Sequence, residues 1–136
     1  MRWRSVRAVV AGILAAVVLT TLVDLVLHYT GVYPSAGVPL TDALAGLATA
    51  YRVVIGIGAA WLTARLAPNR PMLHALIAGG MGAVVALVGV VVTWNSNLGP
   101  HWYPIALAVL ALPQSWLGAR LFEMREARPL RMADAG

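Results

Sequence analysis

The chain has 136 residues, 60% hydrophobic and 11% charged, with a mean hydropathy of +0.79. Water-soluble domains average ~45–50% apolar and ~25% charged residues, so a chain of this size and make-up cannot hide its apolar surface from water. Its formal net charge is +5 and it has no cysteine, which excludes disulfides, thiolate nucleophiles and thiolate-held metals.

The first apolar stretch, Ala8–Tyr29, follows Arg2, Arg4 and Arg7. It is long enough to span a bilayer, since ~20 apolar residues cross the ~30 Å hydrocarbon core. A basic start followed by an apolar run also opens a secretory signal. No A-x-A site follows here, however, and the run continues to Leu27, so the reading is a retained span. Along it Ala8, Gly12, Ala16, Thr20, Asp24 and His28 recur at steps of four. Small residues in this spacing let two helix backbones approach closely.

The second span is Ala43–Leu66, with a comparable seam of Ala45, Thr49, Arg52, Gly56, Ala60 and Thr63. The third, Met72–Trp94, carries Ala75, Gly79, Gly82, Ala83, Ala86 and Gly89. The fourth, Pro104–Phe122, contains Pro113 in mid-helix. Proline there leaves the carbonyl of Val109 unpaired and predicts a kink, with Gln114, Ser115 or a neighbouring helix to satisfy the freed group. Residues 123–136 read as a basic tail. The fold predicted is all-α: one transmembrane domain, 1–136, forming a four-helix bundle.

All ten basic residues are arginine, and nine lie just outside the apolar stretches. They sit at the N-terminus, between the second and third spans (Arg65, Arg70) and at the C-terminal end (Arg120, Arg125, Arg128, Arg131). The connections Thr30–Thr41 and Asn95–Tyr103 have none. Cytoplasmic loops gather arginine, so both termini and the middle connection are expected inside and the other two connections outside. This pattern accounts for the high pI of about 10.8 without nucleic acid as a partner, and favours anionic lipid at the inner face. Tyr29, Tyr33, Trp94, Trp102 and Tyr103 on one side, with Trp3, Trp61 and Trp116 on the other, read as interfacial belts.

The chain also repeats itself. "WLTARL" (Trp61–Leu66) ends the second span and "WLGARL" (Trp116–Leu121) the fourth, 55 residues apart. "AVVAG" (Ala8–Gly12) and "ALIAG" (Ala75–Gly79) open the first and third at an offset of 67, each followed by Ala-Val-Val at the same distance. Two tandem helical hairpins of equal orientation are therefore expected, related by an axis along the membrane normal.

Enzyme signatures such as H-E-x-x-H, G-x-S-x-G or a phosphate loop do not occur, and no cofactor is implied. His28, His101 and Asp42 lack the tight spacing of a metal site. The chemistry concentrates on Asp24 and Arg52, because charge in hydrocarbon is expensive and marks either a pair or a pathway. Asp24 lies ~9 Å below the outer boundary and Arg52 ~15 Å below it, at 1.5 Å per residue. A long arginine stem closes that gap. The second repeat has Val91 and Leu107 at the equivalent positions, so the charges are not duplicated. A structural ion pair is the preferred reading. The alternative is a polar track of Thr20, Thr21, Asp24, His28, Thr49 and Arg52 open to the outer side. Gly12, Ala16, Gly56, Gly79 and Gly82 are the candidate helix-packing positions.

The strings "RPMLHAL", "LGPHWYPIAL" and "LPQSWLGARL" resemble a loose set of small uncharacterised four-helix bacterial membrane proteins. The resemblance covers most of spans three and four. It implies a four-helix topology in a bacterial cytoplasmic membrane and no activity. The function expected is that of a non-enzymatic membrane component, an accessory or scaffold subunit or a homo-oligomer. Its partners would be the lipid bilayer and either further copies of the chain or a larger membrane complex. A small transporter or channel is the runner-up.

Overall fold

The computed structural model describes residues 2–34, 38–96 and 99–135, without the side chains of 2, 129–131 and 133–135. Parts of the two arginine-free connections (35–37 and 97–98) and the side chains of Arg2 and Arg131 thus lie outside the described residues. Among those described, the chain forms four α-helices and no strand: α1 Arg2–Tyr29, α2 Asp42–Leu66, α3 Pro71–Thr93 and α4 Trp102–Ala135. Each holds a segment long and apolar enough to cross a membrane, the shortest being Pro71–Thr93 at 23 residues. That is ~35 Å of helix.

Local chemistry sets the helix ends. Gly31, at φ +79°, takes the left-handed conformation that closes α1, a geometry costly to any residue with a Cβ. Thr41 caps α2 by accepting the Leu44 N–H at 3.3 Å. Ala67 leaves α2 extended because Pro68 follows it, and Pro71 opens α3, where its missing N–H is no loss.

Two helices outrun the predicted spans. α1 begins at Arg2 instead of Ala8, and α4 continues to Ala135, so the expected basic tail is helical. Apolarity marks only the part of a helix that suits hydrocarbon. Beyond it, arginine, glutamate, methionine and alanine are good helix formers in water, and Arg120 and Glu123 pair at 3.6 Å one turn apart. α4 also runs unbroken through Pro113, which is exposed. Ser115 does not serve the carbonyl of Val109; its Oγ donates to the Ala111 carbonyl at 2.8 Å.

The helices follow one another around the bundle as α1, α2, α4 and α3, with α2 and α3 also meeting across the diagonal. The backbones of α1 and α4 do not approach each other among the described residues. The interior is made of small side chains: Ala45, Ala48, Ala60, Ala64, Ala75 and Ala119 are buried, with Thr63 among them. The large aliphatic residues face outward, Val91 and Val92 being 78% and 72% exposed. Water would select the reverse arrangement. In hydrocarbon, exposed valine and leucine carry no penalty, and close backbone approach supplies the packing.

The closest approaches occur at glycines. A Cβ on Gly118 would collide with the Ile57 carbonyl and come within 2.7 Å of the Ala60 Cβ, so α4 lies directly on α2 there. A Cβ on Gly12 would meet the Thr63 side chain and the Ala59 carbonyl at 3.1 Å; one on Gly79 would meet Ser115 and the Ala111 carbonyl at 3.0 Å. Gly56 accommodates the Gln114 side chain. Ala16 is half-buried. Gly82, expected on a packing seam, is exposed with nothing within 4 Å of its would-be Cβ. It lies one helical turn past Gly79, where it borders the open cleft between the helices instead of a close backbone contact.

Candidate functional site

Near one end of the bundle, α1, α2, the connection after α1 and the start of α4 bring together Asp24, Tyr33, Tyr51, Arg52 and Tyr103. Asp24 points from α1 toward α2 because it continues the small-residue spiral that contains Gly12. Antiparallel packing then sets it against Tyr51 and Arg52. Arg52 donates from Nη2 to Asp24 Oδ2 at 2.8 Å. The Tyr51 hydroxyl donates to Asp24 Oδ1. Tyr51 has only that one hydroxyl proton, so in its 2.6 Å bond with Tyr33 it is the acceptor and Tyr33 the donor. Both carboxylate oxygens are therefore engaged.

Tyr33 is held in place by its own surroundings. Its backbone N–H donates to the Leu27 carbonyl at 3.1 Å, folding the chain back over the end of α1, and its side chain is only 8% exposed. The His28 ring lies edge-on to it at 5.3 Å. On the other side, the Arg52 guanidinium lies 5.9 Å from the ring centres of both Tyr51 and Tyr103. Aromatic faces at that distance attract a cation without accepting its protons in hydrogen bonds. The buried Nε of Arg52 accordingly has no hydrogen-bond partner among the described residues.

The predicted track is only partly assembled. Asp24 and Arg52 meet directly, and His28 reaches them through Tyr33. Thr49 turns its hydroxyl to the Ala45 carbonyl of its own helix at 2.8 Å, while Thr20 is half-buried and Thr21 exposed. Neither main cavity is lined by Asp24 or Arg52. One, of about 280 Å³, is an apolar cleft among all four helices bordered by Gly12, Gly79 and Gln114. The other, of about 260 Å³, lies under Trp94 and His101 at the α3–α4 turn.

His101 and Asp42 are each engaged by other partners. His101 Nε2 is 2.7 Å from the Trp94 carbonyl, and its ring stacks on the indole at 4.2 Å. Asp42 accepts the Trp102 indole N–H at 2.9 Å, tying the start of α2 to the start of α4. Among the described residues no three His, Cys, Asp or Glu side chains gather as a metal would require.

The three tyrosines were not legible as site members. Tyr33 and Tyr103 read as ordinary interfacial residues, and only the adjacency of Tyr51 to Arg52 hinted at its role. No family model, no curated protein and no solved structure matches this chain, so the reading of the cluster stands on its geometry.

Proposed function

We propose that this chain is a small non-enzymatic integral membrane protein of the bacterial cytoplasmic membrane, acting as an accessory or scaffold subunit or as a homo-oligomer. It crosses the bilayer four times as two tandem hairpins, with both termini inside. The observation that carries the structural reading is that each carboxylate oxygen of Asp24 accepts a hydrogen bond, one from Arg52 and one from Tyr51. A carboxylate that shuttles protons or ions must release its partners; one that braces two helices keeps them. The hairpin reading is supported by a similar contact in each pair, a glycine of one helix lying against a back-bonded hydroxyl of the next, with Ser115 one turn before Gly118, the repeat counterpart of Thr63. Gly12 meets Thr63 in the first pair and Gly79 meets Ser115 in the second.

Reconstitution tests this function. Vesicles containing the purified protein should hold proton and monovalent-ion gradients as well as empty vesicles, for the native chain and Asp24→Asn alike. Native mass measurement should show assemblies above the 14.3 kDa of one chain. A leak present in the native chain and lost in Asp24→Asn would overturn the scaffold reading in favour of the transporter.

A further inference from the structure

At the end of the bundle opposite Asp42, two arginines from different helices converge on one indole. The Arg65 guanidinium lies 5.4 Å from the centre of the Trp61 ring and that of Arg125 lies 5.9 Å from it, while Phe122 meets the same ring edge-on at 6.3 Å. Neither arginine has an ion-pair partner among the described residues; Glu123 is engaged by Arg120 instead. Both arginines are exposed and their guanidinium groups lie within 6 Å of the same indole, so an anion that reaches this ring meets two cations.

The register of the helices sets the depth. α2 and α4 run in the same direction, joined at their starts by the Asp42–Trp102 hydrogen bond. Arg65 is 23 residues beyond Asp42, and Arg125 is 23 residues beyond Trp102. Both cations thus stand at one level, ~35 Å along the axis from the other end, which is the hydrocarbon thickness plus the start of the headgroups. Toward the bilayer centre, Leu121 and Leu117 precede Arg125 at steps of four on the same face of α4, both exposed.

We propose that Arg65 and Arg125, framed by Trp61, bind the phosphodiester of an anionic phospholipid whose acyl chain lies along Leu121 and Leu117. The planar guanidinium suits bidentate phosphate contact, and the indole suits the interface. The leucine track selects a lipid over free phosphate, which has nothing to place there. This proposal rests on the membrane-spanning reading, which resistance to alkaline extraction from membranes tests separately.

The experiment is native mass spectrometry of the detergent-purified protein with phosphatidylglycerol or phosphatidylcholine added. The native chain should retain phosphatidylglycerol preferentially, and millimolar inorganic phosphate should not displace it. Arg65→Gln with Arg125→Gln should weaken retention roughly 30-fold, about fivefold per guanidinium. Arg120→Gln should leave it unchanged. Equal retention of phosphatidylcholine, displacement by inorganic phosphate, or undiminished binding in the double variant would each overturn the site. The first two outcomes are read on the native chain, so the proposal stays testable even if the variant does not fold.

Discussion

The carboxylate of Asp24 holds two donors of unequal kind, and their removal should have separable consequences. Asp24→Asn or Arg52→Gln alone leaves an uncompensated charge between helices and should cost about 3–5 kcal/mol. The double variant should cost less than the worse single one, as measured by thermal unfolding in detergent; simply additive losses would mean the two side chains are not coupled. Tyr51→Phe removes a hydrogen bond to a charged group, about 1.5–3 kcal/mol, whereas Tyr33→Phe removes one between neutral hydroxyls, about 0.5–1.5 kcal/mol. A larger loss for Tyr33→Phe would contradict the donor order assigned here. Asp24 and Arg52 stood out in the sequence because each is the lone charge in an apolar run. The tyrosines did not, since a tyrosine near a membrane boundary is ordinary and its convergence with others depends on three elements packing together.

At the level of the helices, glycine position decides how near the backbones come. Gly118→Ala should lower thermal stability by about 1–3 kcal/mol, because the new methyl group meets the α2 backbone and not a flexible side chain. Gly12→Leu and Gly79→Leu should disrupt packing outright, while Val9→Leu, at a half-exposed position, should be nearly silent. Gly82→Ala should be neutral or stabilising by up to ~1 kcal/mol, the helix-propensity difference, since its methyl group meets nothing. Destabilisation at Gly82 equal to that at Gly118 would show the faces of α3 to be misassigned. Gly118 has a signal in the sequence: it is the single departure between "WLTARL" and "WLGARL". Its counterpart Thr63 fills the space over Gly12, whereas Gly118 leaves room for a helix.

For the whole molecule, the orientation proposed from the arginines makes a direct forecast. A reporter fused after Gly136, and one inserted in the connection around Pro68, should score cytoplasmic. A reporter beside Ser96 should score external. An external C-terminus would overturn the orientation. The helical continuation of α4 past Phe122 adds a second test: residues 123–128 should exchange amide hydrogens more slowly than an unstructured tail, yet faster than the fully buried Ala119.

The sequence by itself determined the four helices and which of their segments suit hydrocarbon, because helix length and apolarity are properties of consecutive residues. It also singled out Asp24 and Arg52, since a charge in such a run is conspicuous without any knowledge of its neighbours. What it left open depended on distance between helices. The tyrosine ring around the ion pair, the seating of α4 on α2 at Gly118, the idle position of Gly82 and the convergence of Arg65 and Arg125 on Trp61 were decided only by the tertiary structure. Small residues recur on several faces of these helices, and any of those faces permits close approach. Which face is used follows from the simultaneous fit of all four helices, and no single helix encodes that.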